Sequence, residues 1–232
     1  MFFFDPTYLI LVFVPTLIIT GLAQMWVKGA YQKWGNIANS RRVTGYDTAQ
    51  TLMRDGEVMQ VGVDVGGKDL SDHYDPTKGV VQLSPGVASQ SSVAAMAIAA
   101  HEFGHVQQHQ RSSALMAMRT ALVPGATWGP SVGIYMMIFG LILNFTGLAM
   151  IGLILFGAAT LFTLVTLPVE LDASRRGLKM LRATGLIASP QDAEGARAVL
   201  TAAAFTYVAA VAASMLQLLY WSMLIFGGRR RN

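Results

Sequence analysis

Cysteine is absent from the 232 residues. No disulfide and no thiolate site can form, so any metal must be held by His, Asp or Glu. Charge is also scarce: 13% of residues are charged and 53% hydrophobic, where a soluble domain carries about 25% charged residues. That apolar content excludes a disordered chain and argues against an ordinary cytosolic enzyme. The net charge of +4 fits basic residues beside membrane spans better than a nucleic-acid surface, and no nucleic-acid partner is expected. No Gly-rich phosphate loop and no Gly-x-Ser-x-Gly elbow occurs.

The missing charge is gathered into blocks. Residues 8–27, 120–169 and 198–228 hold no Lys, Arg, Asp or Glu. The first is long enough for one bilayer crossing of about 20 residues. With no basic region before it and no small-residue cleavage site, it reads as an uncleaved anchor. The second is too long for one span and carries Asn144-Phe145-Thr146-Gly147 at its middle, a turn signal. Two spans near 128–143 and 148–167 are expected, and such a hairpin returns the chain to the side it left. The third reads as a last span, with Tyr220 and Trp221 as interfacial anchors and the basic residues 229–231 behind it.

Between these blocks lie two polar stretches, 28–119 and 170–197. In the first, Thr44 and Asp47 precede an apolar-periodic run that Gly56 closes, a helix signal. Val61, Val63 and Val65 alternate with Gly62 and Asp64, and residues 80–84 read as a second short strand. Ser91 or Ser92 can cap a long helix reaching about Met118, with Pro124-Gly125 beyond its end.

That helix contains His101-Glu102-Phe103-Gly104-His105. Histidines four apart lie on one face and can converge on one zinc ion. Glu102 is offset about 100° around the helix and free to act as a general base. Gly104 costs helix stability, which the close approach of another backbone, such as a strand, would explain. A catalytic zinc takes a third protein ligand. His109 is the near option, but three successive i+4 positions spread over about 12 Å and cannot converge without a bend. Glu170 is the far option, at the edge of the third span, where an acidic residue is costly unless used. An ion pair of Glu170 with Arg175 or Arg176 is its alternative. Asp172, two residues on, points to a different face.

These residues resemble the YugP-type membrane zinc metallopeptidases, and the resemblance runs over nearly the whole chain. It includes the N-terminal anchor, Ser71-Asp72-His73-Tyr74-Asp75-Pro76, Leu83-Ser84, residues 101–109, the apolar hairpin and Val169-Glu170-Leu171-Asp172-Ala173-Ser174. The chain is also distantly similar to the HtpX class, whose distal motif is Glu-x-x-Ala-Asp. Here Ser174 stands at the Asp position and offers a neutral hydrogen bond instead. The resemblance implies His101, His105 and Glu170 as ligands of one zinc ion per chain, Glu102 as base on zinc-bound water, and peptide-bond hydrolysis. It implies a mainly α membrane protein: about four transmembrane helices plus a small α+β gluzincin-like zinc peptidase domain.

The expected organisation is an anchor (1–27), a peptidase domain (28–119), a two-span hairpin (120–169), a polar helical segment with the third ligand (170–197), and a C-terminal transmembrane helix with a basic tail (198–232). Residues 80–84 are expected at a sheet edge, where an extended substrate can add as a strand. His73, Ser174 and Arg175 are further candidates for contact with substrate, an oxyanion or a ligand. The expected partners are a peptide or membrane-protein substrate and the lipid bilayer. Nine Lys and Arg in 28–119 and five in 170–197 place the catalytic face of a multi-pass plasma-membrane protein in the cytoplasm. Gln107, Gln108, His109, Gln110 and Arg111 beside the motif, with Leu-Asp-Ala rather than Leu-Asp-Gly distally, set it apart from intramembrane zinc proteases. A non-catalytic zinc-binding scaffold is the alternative, and it would have no use for Glu102.

Overall fold

The computed structural model describes residues 5–68 and 71–227, so the basic residues 229–231 lie outside the described residues. The element order is α1 (Pro6–Gly35), α2 (Gly45–Asp55), β1 (Gly62–Val65), β2 (His73–Asp75), β3 (Val80–Leu83), α3 (Pro85–Ser89), α4 (Val93–Gln110), α5 (Ala114–Ile142), α6 (Thr146–Ala183) and α7 (Pro190–Gly227). Helices α1, α5, α6 and α7 have 30, 29, 38 and 38 residues and are apolar enough to cross a membrane. Four such helices agree with the charge-free blocks.

Helix boundaries follow local chemistry. Thr44 and Asp47 form a reciprocal capping box on α2: the Asp47 N–H donates to Thr44 Oγ1 at 3.0 Å, and the Thr44 N–H donates to Asp47 Oδ2 at 3.0 Å. Ser92, rather than Ser91, caps α4 by accepting from the Ala95 N–H. That helix ends at Gln110 and not near Met118, because Ser112 turns to φ 49° and the chain restarts at Ala114. Pro124 and Pro130 do not end a helix but lie inside α5, which an apolar helix packed by neighbours tolerates. The expected hairpin turn is present: Asn144 takes φ 52°, and the Phe145 N–H donates to the Gly140 carbonyl at 2.7 Å.

The chain forms two compact units. The first comprises residues 1–24, 117–168 and 206–232, within the described range. Its core includes Tyr8, Met137, Phe156, Tyr220, Trp221 and Ile225. Tyr220 and Trp221 are thus buried side chains, with Trp221 fully enclosed, and not exposed interfacial anchors. Small residues let α5 and α6 approach closely. A Cβ on Gly152 would stand 2.6 Å from the Gly133 carbonyl oxygen.

The second unit comprises residues 25–116 and 169–205. Its three-stranded sheet has the order β1-β3-β2, with β1 parallel and β2 antiparallel to β3. Residues 80–83 are therefore central, not an edge; the free edges are β1 and β2. A four-residue turn, 76–79, closes the β2–β3 hairpin. Asp75 accepts from the Thr77 N–H and hydroxyl, which holds its carboxyl below the ordinary carboxylate range, and Gly79 takes φ 65°. Asp72 ties the start of β2 to the end of β3 by accepting from the Ser84 N–H at 2.7 Å. The core joins Leu52, Val81, Leu83, Met96, Phe103 and Leu181, so α4 lies among α2, the sheet and the 169–183 part of α6.

Candidate metal centre

Helix α4 is uncharged and small on its buried side, with Ala94, Ala97, Ala100, Phe103 and Gly104 all enclosed. Two glycines then bring α4 and α6 into backbone contact. A Cβ on Gly104 would fall on the Ala173 carbonyl oxygen, and one on Gly177 would stand 2.6 Å from the Ala100 carbonyl oxygen. The close neighbour expected for Gly104 is thus a helix, not a strand.

This contact brings together three of the residues singled out in the sequence. His101 Nε2 lies 3.1 Å and His105 Nε2 3.5 Å from Glu170 Oε2. All three ligand atoms fall within 4.8 Å of one another. Tetrahedral zinc with bonds of about 2.0–2.1 Å needs ligand atoms about 3.3–3.4 Å apart, so the two distances bracket that requirement. His105 and Glu170 are 7% and 2% exposed. A carboxylate so enclosed needs a cationic partner.

The second nitrogens of the two rings are also engaged. His101 Nδ1 meets Ser174 Oγ at 3.1 Å, the neutral contact expected at that position. His105 Nδ1 meets Gln108 Oε1 at 3.0 Å. The amide nitrogen of Gln108 donates to the Val169 carbonyl and to Asp172 Oδ2, both at 2.8 Å. Both of its neighbours are acceptors, so the amide oxygen must face His105, and His105 must carry its proton on Nδ1. Its Nε2 then presents a lone pair toward the Glu170 carboxylate. Two acceptors facing each other at that range call for a cation between them, a proton on Nε2 or a metal ion, and the convergence of three ligand atoms within 4.8 Å fits the metal.

Glu102 adjoins this cluster, is 6% exposed, and makes no hydrogen bond among the described residues. Burial pushes its carboxyl above the ordinary range. The imidazoles oppose that rise, and the Glu170 and Asp72 carboxylates add to it. A buried carboxyl without fixed partners, one residue from a ligand, is suited to exchanging a proton with a small molecule held beside it.

The remaining candidates lie elsewhere. His73 is exposed on β2 and bonds its own turn, Nδ1 to the Ser71 carbonyl at 2.9 Å. His109 lies outside the cluster and meets the Tyr74 hydroxyl through Nδ1 at 2.8 Å. Arg175 is exposed, whereas Arg176 binds Asp172 Oδ2 at 2.6 Å and Gln107 Oε1 at 3.1 Å. Gln108 is 1% exposed and not part of a solvated flank, and Asp172 supports it. No periodicity signals either contact, because both depend on how α4 meets α6.

The family model "Putative neutral zinc metallopeptidase" matches residues 9–226. The "Putative membrane protease YugP" of Bacillus subtilis (strain 168) is 37% identical over 210 residues, covering 90% of this chain and 93% of that protein. No solved structure matches. With both likenesses running through the histidine helix and the Glu170 segment, this chain belongs to the "Putative neutral zinc metallopeptidase" family.

Proposed function

We propose that this protein is a multi-pass zinc endopeptidase of the plasma membrane that cleaves peptide or membrane-protein segments near the membrane surface. His101, His105 and Glu170 hold one zinc ion, and Glu102 is the general base. The observation that carries this reading is the enclosed three-donor cluster with an unpartnered carboxyl one residue from a ligand.

A bound zinc ion supplies the Lewis acidity that activates water and polarises a carbonyl. Glu102 takes a proton from the attacking water and delivers it to the amide nitrogen as the C–N bond breaks, leaving a carboxylic acid and an amine. Its lack of a hydrogen-bonding partner leaves the carboxyl free for both transfers. The peptidase face is assigned to the cytoplasm from the basic residues gathered in 28–119 and 170–197. The grouping of the two helix histidines with a glutamate of a second helix supports the gluzincin-type reading that the resemblance implies.

The test is cleavage of casein and of a detergent-solubilised membrane protein by the purified full chain. Hydrolysis that a chelator abolishes and zinc restores supports the proposal. Stoichiometric zinc with no cleavage of either substrate favours the scaffold alternative.

A further inference from the structure

We infer that Gln108 is a positioning residue that decides which ring nitrogen of His105 faces the metal, and that Asp172 with Arg176 locks Gln108 in the orientation that does so. The inference deepens the metal-binding reading and rests on it for its zinc readout alone.

Gln108 follows His105 by three residues on α4, so its side chain reaches the same face one turn on. A glutamine amide can be turned about its last bond at little cost when its surroundings do not discriminate oxygen from nitrogen. Here they do. The nitrogen side meets two oxygens that only accept, the Val169 carbonyl and Asp172 Oδ2. Turning the amide over would set Oε1 against both and present an N–H₂ to His105, which would then be forced to accept at Nδ1 and protonate at Nε2. That tautomer has no lone pair on the side of Glu170 and cannot ligate there.

The lock has further parts. Arg176 Nε donates to Asp172 Oδ2 at 2.6 Å, keeping that oxygen charged and in place. The same guanidinium donates through Nη1 to Gln107 Oε1 at 3.1 Å, which ties it back to α4. The two acceptors of the Gln108 amide come from the residues on either side of Glu170, at 169 and 172. One side chain therefore sets the tautomer of one ligand and grips the segment that carries another. His101 has no equivalent device, because the Ser174 hydroxyl can donate or accept and so leaves its tautomer open.

The geometry predicts an outcome that a merely space-filling glutamine would not give. Gln108→Glu keeps an oxygen to accept from His105 Nδ1, yet its second oxygen meets the Val169 carbonyl and the Asp172 carboxylate, acceptor against acceptor. Adding Asp172→Asn removes one of the two negative charges that repel there, and leaves Arg176, whose Nε donated to Asp172 Oδ2, to face the new carboxylate at position 108.

The experiment uses the full chain in detergent, with two readouts. One is zinc affinity by chelator competition. The other is the tautomer of the four histidines, from ¹⁵N imidazole spectra of metal-free protein above the imidazole titration range. Wild-type His105 should show the Nδ1–H tautomer. Gln108→Leu should give a tautomer mixture and bind zinc about 10–100-fold more weakly, as loss of a partner to a metal-binding histidine does. Gln108→Glu should also bind more weakly, and Gln108→Glu with Asp172→Asn should recover about tenfold over Gln108→Glu alone. Should Gln108→Leu fail to fold, the single and double variants, compared at equal Tm, carry the test. A Gln108→Leu protein with wild-type tautomer and affinity, or a double variant no better than Gln108→Glu, overturns the inference. A wild-type chain that binds no zinc contradicts the proposed function instead, and the tautomer readout still decides the role of Gln108.

Discussion

Gly104 lies directly against the backbone of Ala173, three residues past Glu170, and this contact is what lets two helices share one cluster of donors. A side chain at position 104 would force α4 from α6. Gly104→Ala is therefore expected to destabilise the protein by about 1–3 kcal/mol, as overpacking does, and to weaken zinc binding. Gly29→Ala is the control. It lies in α1 with nothing within 4 Å of an added Cβ, and should stabilise by up to about 1 kcal/mol. Thermal unfolding and zinc titration of the two variants read out the difference.

Two residues of α6 are expected to contribute unequally to zinc binding. Glu170→Gln removes a charged donor, whereas Ser174→Ala removes a neutral contact behind His101. The expected order of zinc affinity is wild type, then Ser174→Ala lower by about tenfold, then Glu170→Gln lower still. Chelator competition measures all three. Equal affinities for Glu170→Gln and wild type would remove Glu170 from the ligand set.

Metal removal should lower stability as well as activity. Zinc that binds only the folded protein adds about 2.7 kcal/mol at a free concentration of 100 Kd. Tm should rise with zinc in wild type and stay flat in a His101→Ala, His105→Ala variant. A zinc-dependent rise in that double variant would place the stabilising ion elsewhere.

The α2 cap supplies a pH-dependent test away from the site. Hydrogen bonds from the Thr44 backbone and hydroxyl hold the Asp47 carboxyl below its ordinary value of 3.8. A depressed folded value means the contribution is complete above 3.8 and is lost as pH falls through the folded value. Thr44→Ala should cost about 1 kcal/mol at neutral pH. The stability gap between wild type and Asp47→Asn should narrow as pH falls below 3.8. Urea unfolding at neutral and acid pH measures both effects.

What was legible in the sequence was local. Charge-free blocks, the Thr44 and Ser92 caps, the Asn144 turn and the i, i+4 histidines are short-range patterns, and each corresponds to a feature of the structure. The missed features are set by non-local packing. Strand β2 has three residues and depends on Asp72 reaching Ser84. The central place of β3 depends on a parallel partner from before β2. Trp221 has the composition of an interfacial anchor, but packing around it encloses it. Gln108 looks like a solvated residue because Val169 and Asp172, its partners, lie more than sixty positions away.

The central claim is that Glu102 performs chemistry on a substrate beside a metal it does not hold. The most direct test is Glu102→Gln in the purified full chain, with zinc content and proteolysis measured on the same sample. The account predicts one zinc per chain, as in wild type, with cleavage reduced by at least about 10²-fold. Undiminished cleavage by that variant would contradict it.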